Sequence, residues 1–511
     1  MSQFLRRKPR LGYCGLTIVM SNPSRFDIDA KCLCSANGGQ MLDNHCLRPE
    51  FNSMQCDIRL ADETELLLPG TKCILALGEY AAHKVLPSTI QDNIGMIRGG
   101  LYDYKGIPVI CSFLPQDAVD FKNYESQFNS SASDYSPDDK VSDDDEDEGD
   151  VKTFGKTKRA NYCFWLRADV RKCKAILAKG LVGARGNIVA PIYRINEQLS
   201  TVISLLLTTK HETLYLDIET DYEQQNLQCF AFTFDGLTIY SVPVLDYTYK
   251  PASPSVHLLL RALAVAMRDN VVVAHNGACF DFFVLANKYG IPINNTYDTM
   301  IAMHRCFPDI EKSLGHCTSY WTWEKFHKDE DSRGYHTYEQ MMSRMKYCAK
   351  DVYTMYLIKQ GIDAYAKTIP GLQSSIQAAM DCIKPYLIAT LQGIRSDEKK
   401  INAMCAENDR LMVQYNRMIE ILIGPSGMEK IRDGKKKLSF FAGSNKQCIK
   451  YFHELLEYPI MMRSKETGEP SLGKKSLYKL ALKHANPVIT LVCMYRAVQK
   501  ETSRLRFTPW K

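Results

Sequence analysis

The segment Leu214-Tyr-Leu-Asp217-Ile-Glu219-Thr constrains this chain more than any other stretch. Its apolar residues read as a buried strand. A strand turns successive side chains to opposite faces, so Asp217 and Glu219, two positions apart, share one face. Two carboxylates buried side by side cost several kcal/mol unless a counter-charge neutralises them, and divalent cations do that well. A second strand, Val271-Val-Val-Ala-His275-Asn276, leads through Gly277-Ala-Cys-Phe280 into a helix that opens with Asp281, a third carboxylate at a strand-to-helix junction. In Tyr347-Cys-Ala-Lys-Asp351 a tyrosine and a fourth carboxylate stand four apart, hence on one helical face.

Four acids and a tyrosine hydroxyl from separated segments fit a hydrolytic site with two divalent ions about 3.5–4 Å apart, one activating water and the other stabilising the leaving oxygen. Hard, oxygen-only ligands favour two Mg2+ (or Mn2+) over zinc. The expected metal ligands are Asp217, Glu219, Asp281 and Asp351, with Tyr347 orienting the attacking water. In order and spacing the set resembles the three motifs of the DEDDy 3′-5′ exonucleases: Asp217 and Glu219 in the first, Asn276, Phe280 and Asp281 in the second, Tyr347 and Asp351 in the third. Tyr297-Asp298-Thr-Met and Lys312-Ser-Leu-Gly315 are similar to the proofreading domains of phage DNA polymerases. This resemblance covers 159–365 and implies an RNase H-like domain with a mixed sheet. It also implies metal-dependent removal of 3′-terminal nucleotides, with His275, Asn276 and Phe280 binding the substrate strand.

The flanks carry two further resemblances. From about Ser374 the chain reads as long helices: Gln377–Leu391, Glu398–Ile423, Lys446–Leu456, Lys475–His484 and Val488–Ser503. Ser444 can cap the helix near Lys446, whose free N–H groups suit a phosphate, and Lys435–Lys437, Lys474, Lys475, Lys500 and Arg504 add cationic charge. The phrases Leu391–Asp397, Gly443–Gln447, Lys465–Ser471 and Met494–Arg496 resemble, in order, the thumb of family A DNA polymerases. That resemblance implies a mainly α-helical thumb at 366–511, with Ser444, Asn445, Lys446, Lys474 and Lys475 on primer–template DNA. No palm or fingers motif follows Arg496. The expectation is therefore no polymerisation by this chain alone, with palm and fingers on a separate chain or lost by truncation.

At the other end, 1–123 reads as an α/β unit with strands Leu16–Met20, Cys73–Leu77 and Pro108–Phe113 and a helix Glu79–Leu86. Ser21–Ser24, Ser35–Asp43, Gly70–Gly78 and Phe113–Gln116 run in the order of the uracil-DNA glycosylase fold. Ser21 stands where that family has its water-activating Glu, and Leu114-Pro115 where it has His-Pro. The resemblance thus implies a glycosylase-like domain without base excision.

Composition closes the frame. The 511 residues call for several domains. The Ser/Asp-rich stretch 124–158 reads as an acidic disordered linker: Asp134–Asp150 alone holds ten acids against one base, so the rest is more basic than the net +6 suggests. A basic body favours a polyanion, here a single-stranded 3′ end or primer–template DNA. No apolar run reaches the ~18 residues of a membrane span and no secretion signal opens the chain, so a cytoplasmic setting without membrane contact is expected. The 18 cysteines, among them Cys73, Cys229, Cys279 and Cys493, read as reduced core thiols. The fold class is multidomain α/β. Two other readings remain open: a non-catalytic primer–template-binding subunit for a separate polymerase chain, and an RNase D-like exoribonuclease.

Overall fold

The computed structural model describes residues 7–21, 33, 42–48, 50–63, 67–89, 93–115, 160–186, 189–221, 225–325, 327, 334–393, 395–432, 440–463 and 470–506. The stretch read as an acidic linker, the Lys435–Lys437 run and most of Ser35–Asp43 lie outside them. The chain forms two compact units, Met1–Gln392 and Gly393–Lys511.

The first unit contains two sheets. In the first, strands β1 (Leu16–Met20), β2 (Asp57–Leu60), β3 (Cys73–Leu77), β4 (Leu101–Tyr104) and β5 (Ile107–Ser112) lie in the order β2-β1-β3-β5-β4, all parallel except β4 against β5. The two-residue period sorts the strand side chains. Leu16, Ile18, Met20, Leu75, Leu77 and Ile110 line one face, and Val19, Ile74, Ala76, Val109 and Cys111 the other. The second face is covered by α1 (Glu79–Val85), through Ala81, Ala82 and Val85, and by the short α2 (Ile94–Ile97). The first is covered by α3 (Ala160–Arg185), through Leu166, Val170, Cys173 and Ile176. The sequence reading places the start of the next domain at 159, yet α3 packs on the sheet before it: its apolar stripe matches that open face.

A buried charge cluster ties this layer to the rest of the unit. Arg98 donates to both oxygens of Asp169 (3.1 and 3.3 Å) and to Ser319 Oγ (2.5 Å), its guanidinium 4.4 Å from the Trp165 ring centre. Ser112 donates to Asp169, and Lys172 Nζ donates to the carbonyls of Gly99, Ser319 and Thr322, each at 2.6 Å.

The second sheet has the order β11-β10-β7-β8-β9-β6. Its strands are β6 (Ile192–Ile195), β7 (Thr213–Thr220), β8 (Leu227–Thr233), β9 (Thr238–Pro243), β10 (Val271–Ala274) and β11 (Thr296–Asp298). β8 runs antiparallel to both neighbours and the other pairings are parallel, which makes the sheet mixed. The helices are α4 (Leu199–Thr208), α5 (Val256–Asp269), α6 (Asp281–Tyr289), α7 (Thr299–Cys306), α8 (Leu314–Trp321) and α9 (Tyr338–Ala366). Leu214, Leu216, Ile218, Phe230 and Phe232 face a core shared with α4 and α5, through Val202, Leu206, Leu259 and Leu263. Tyr215, Cys229 and Ala231 face α9, against Met345, Cys348, Ala349, Val352 and Met355.

Helices α10 (Leu372–Asp381) and α11 (Ile383–Gln392) continue this unit, since Ile376, Met380, Ile383 and Leu387 are buried in the same core. The sequence reading begins the C-terminal helical region at 366 and runs one helix through 377–391. The structure divides the units at Gln392/Gly393 and separates the two helices at Cys382.

In the second unit, α12 (Glu398–Arg432) is kinked at Gly424 (φ 73°) before Pro425; α13 (Asn445–Ile449) runs on into a π-helical segment, Lys450–Leu455, and α14 (Lys474–Lys483) and α15 (Pro487–Leu505) follow. Ile419, Phe440, Phe452, Leu480, Ile489 and Val492 form its core. Arg496 donates to the carbonyls of Ala442 and Leu472 and to Asn445 Oδ1, closing the loops over α15.

The described cysteines are all free thiols; Cys73 and Cys229 are buried and Cys493 is half-buried. Cys279, read as a core thiol, is exposed, because it sits in the loop between β10 and α6. Among the described residues no helix is long and apolar enough to cross a membrane.

Candidate active site

The site is built where β7 faces α9. With Leu214, Leu216 and Ile218 in the apolar core, Asp217 and Glu219 must point to the opposite face, the one α9 covers. On α9, Cys348 meets them: ligand atoms of Asp217, Glu219 and Cys348 lie within 4.8 Å of one another, and Cys348 Sγ donates to the Asp217 carbonyl at 3.4 Å. Tyr347 precedes Cys348, and Asp351 follows it by about one helical turn; both are buried.

Asp281 enters from the edge of β7. Strand β10 pairs with β7 only as far as Tyr215 and ends at Ala274, which leaves the Ile218 N–H beyond its reach. Asp281 Oδ1 accepts that N–H at 3.1 Å, so the third carboxylate is fixed directly behind the residue that separates the first two. Gly277 makes the close turn possible: a Cβ there would stand 2.4 Å from Ala274 Cβ. Asp298 holds the loop by accepting the N–H groups of Asn276 and Ala278 while capping α7. His275, Asn276 and Phe280 therefore form a half-exposed rim beside Asp281, with His275 Nδ1 2.8 Å from Thr299 Oγ1.

Electrostatically the centre is acid-rich. Burial pushes Asp281 up to about 8, against the pull of the Ile218 N–H, with Asp298 and Glu219 adding to the rise. Arg344 Nη1 reaches Glu219 Oε2 at 3.0 Å, and His327 Nε2 lies 2.7 Å from Asp351 Oδ1 with its ring 5.8 Å from Tyr347. Sequence reasoning missed these two. Arg344 was findable, standing three residues before Tyr347 and seven before Asp351 on one helical face. His327 carries no local signal.

The donor set fits hard divalent cations. Asp217 and Glu219 present carboxylates within bridging reach of one centre, and a fully buried carboxylate beside them lacks a full counter-charge. Asp217 and Glu219 could hold an ion, with Cys348 Sγ inside the same 4.8 Å and Asp281 beside them on the Ile218 N–H. The expected thumb contacts lie in the other unit: Ser444 caps α13 by accepting the Gln447 N–H, Asn445 accepts from Arg496, Lys446 is exposed on α13, and Lys474 and Lys475 open α14.

Comparison with known proteins identifies this region. Residues 192–364 match the 3′-5′ exonuclease domain of DNA polymerase A type. The match contains β7 and all but the last two residues of α9, and with them Asp217, Glu219, Asp281, Tyr347 and Asp351. Among solved structures, the POL domain of Pol1 from M. smegmatis in complex with DNA primer-template and dNTP is similar at a TM-score of 0.41 and 13% identity, over 61% of this chain and 49% of that one. The chain thus spans about half the length of that POL domain. The apo form of a nuclease is similar at a TM-score of 0.32 and 16% identity, over 40% of this chain and 95% of that one. No curated protein matches.

Proposed function

We propose that this chain is a DEDDy-type proofreading nuclease that removes 3′-terminal nucleotides from DNA, in the manner of the proofreading part of a family A DNA polymerase. The observation that carries the reading is the convergence of Asp217, Glu219 and Asp281 at the end of β7, facing the helix that bears Tyr347 and Asp351, inside the segment matched by the exonuclease family. Bound Mg2+ or Mn2+ would supply Lewis-acid stabilisation of the charge that develops on the scissile phosphate. The chain's own side chains do the rest. Asp217 and Glu219 share one face and define the centre. Asp281, anchored on the Ile218 N–H, fixes a third oxygen. His327 orients the Asp351 carboxylate, and Tyr347 beside it positions water for in-line attack. His275, Asn276 and Phe280 steady the terminal nucleotide at the rim.

The helical second unit, with Ser444, Asn445, Lys446, Lys474 and Lys475, is assigned to primer–template contact, and DNA synthesis to a separate chain carrying palm and fingers. The first sheet is assigned to a glycosylase-like scaffold without excision chemistry. Ser21 Oγ, at the position of the missing base, is buried, donating to the Leu77 carbonyl and accepting the Ala81 N–H.

The test is hydrolysis of 5′-labelled single-stranded DNA with Mg2+, alongside a matched RNA strand. Stepwise shortening from the 3′ end of DNA, abolished in Asp217→Ala and Asp351→Ala, supports the reading. Equal activity in those variants overturns it, and preference for the RNA strand moves it to an exoribonuclease.

A further inference from the structure

The chemistry that the nuclease reading leaves unused is thiol chemistry, and it gathers on the face of the first sheet that α3 covers. Cys14 and Cys56 bring their Sγ atoms to 3.9 Å from each other, although they stand 42 residues apart in the chain. Cys73 of β3 and Cys173 of α3 also meet, thiol against thiol. All four are free thiols. The two pairs differ in access. Cys73 and Cys173 are both buried, whereas Cys14 is half-buried and only its partner Cys56 is closed off.

The backbone holds the first pair together. The Cys14 N–H donates to the Gln55 carbonyl at 3.0 Å, which lays the segment entering β1 alongside the residue before Cys56, and β1 and β2 then run parallel from Thr17 and Asp57. Neighbouring strands stand about 4.8 Å apart, inside the roughly 4.4–6.8 Å between Cα atoms that a disulfide spans. The two sulfurs are also unequal. A hydrogen bond from Cys56, helped by the Leu16 N–H, holds Cys14 down at about 6 against the opposing effect of burial, while the same contact and burial push Cys56 up. At neutral pH Cys14 is therefore the thiolate, the form that attacks a peroxide. An accessible thiolate with a protonated second thiol behind it is the arrangement of a redox-reactive cysteine and the cysteine that resolves it.

We propose that Cys14 is a site of reversible oxidation by peroxides, with Cys56 as its resolving thiol. The Cys14 thiolate attacks one oxygen of hydrogen peroxide; the S–O bond forms as the O–O bond breaks, and the departing hydroxide takes a proton from solvent to become water. The Cys56 sulfur then attacks the sulfenic sulfur of Cys14. The S–S bond forms, the S–O bond breaks, and the hydroxide leaves with the Cys56 proton as a second water. Two thiols are oxidised to one disulfide and one peroxide is reduced to two waters. The product ties the segment before β1 to the entrance of β2. Cys73 and Cys173 stay reduced, because neither is half-exposed. This inference concerns the first sheet alone and stands independently of the nuclease reading.

The test treats the reduced full chain with a small excess of hydrogen peroxide, blocks the remaining thiols with N-ethylmaleimide after unfolding, and maps the non-reduced peptides by mass spectrometry. The expected result is a Cys14–Cys56 cross-link that dithiothreitol reverses, formed at least tenfold faster than any link between Cys73 and Cys173. In Cys56→Ser, Cys14 should stop at the sulfenic acid and be captured by dimedone. In Cys14→Ser, oxidation of Cys56 should slow at least tenfold. Four outcomes on the unsubstituted chain overturn the proposal: Cys14 and Cys56 both remain thiols while the exposed Cys279 is oxidised, Cys14 accumulates as the sulfinic acid beside a reduced Cys56, Cys14 links to a different cysteine, or Cys73 and Cys173 link as fast. Oxidation of Cys56 at an unchanged rate in Cys14→Ser overturns it as well. Because the mapping of the unsubstituted chain decides the question, a variant that fails to fold does not protect the proposal.

Discussion

The first unit buries two clusters of charge, and they are composed differently. Around Asp169, one carboxylate is met by Arg98, Lys172 and Ser112, and every donor of the Lys172 ammonium ends on a carbonyl. Where α9 faces β7, Glu219 takes the Arg344 guanidinium at 3.0 Å and Asp351 the His327 imidazole at 2.7 Å, while Asp281 accepts the Ile218 N–H. The first cluster pairs its carboxylate with cations from the chain itself, leaving only Arg98 Nε without a hydrogen bond, so it holds two layers together. In the second, burial pushes Asp281 up to about 8, a shift that a nearby cation would oppose. A buried carboxylate held by cations of the same chain has a structural role, whereas carboxylates gathered on one strand face suit a cation brought from outside.

Substitution should break the comparison in opposite directions. Asp217→Ala is expected to lower the rate of 3′-end hydrolysis by about 10³-fold, equivalent to ~4 kcal/mol of transition-state stabilisation. It should leave thermal stability unchanged or slightly raised, because a like charge is removed. Single-turnover assays with parallel calorimetry check both. Asp169→Ala should do the reverse, destabilising the chain by about 3–5 kcal/mol, since Arg98 and Lys172 are left buried without their anion. If urea unfolding gives Asp169→Ala and Asp217→Ala the same stability, the distinction between the clusters is lost.

Metal addition sharpens the contrast through pH. Asp281 titrates near 8 in the folded chain and in the ordinary carboxylate range when unfolded. Between about pH 4 and 8 the native state therefore holds the extra proton, and its contribution to stability falls as pH rises through that window. A divalent ion that displaces the proton should stabilise most where the proton is easiest to lose. Mg2+ or Mn2+ is expected to raise the melting temperature by a few degrees at pH 8 and by much less at pH 5, with the difference absent in Asp281→Asn. An equal shift at both values would separate Asp281 from the metal site.

What the sequence showed of this arrangement follows from period and range. Asp217, Glu219, Asp281, Tyr347 and Asp351 could be read because strand alternation and helical spacing place them by local rules. The strands Leu16–Met20, Cys73–Leu77 and Val271–Ala274 and helix Asp281–Tyr289 lie where their patterns put them. The Asp169 cluster could not be read: Arg98 meets residues 71 and 221 positions away, and nothing local marks either pairing. Helix α3 follows an acidic tract and was overlooked as the cover of the first sheet. Ile376, Met380, Ile383 and Leu387 gave a helical pattern without indicating which core receives it.

The smallest expected effect tests whether the Asp169 cluster is closed to protons as well as to ligands. His316 packs against Trp165 with ring centres 5.4 Å apart, and its Nδ1 lies 2.8 Å from Ser313 Oγ. Burial first, and the positive charge of Arg98 second, hold its pKa down at about 4, so the ring is neutral in the fold. An unfolded histidine gains its proton near 6.5. Between pH 6.5 and 4 the unfolded chain binds the extra proton, so stability from this residue is full above 6.5, declines on acidification through the window and levels off below 4. The loss is at most ~3 kcal/mol, from about two and a half pK units. His316→Gln keeps a hydrogen-bonding partner for Ser313 and removes the titration. Unfolding free energies of the two proteins measured across pH 4–7 should diverge at the neutral end and converge at the acid end. Parallel curves would mean that His316 is charged in the folded chain, and that the latch beside it tolerates one more cation than its composition allows.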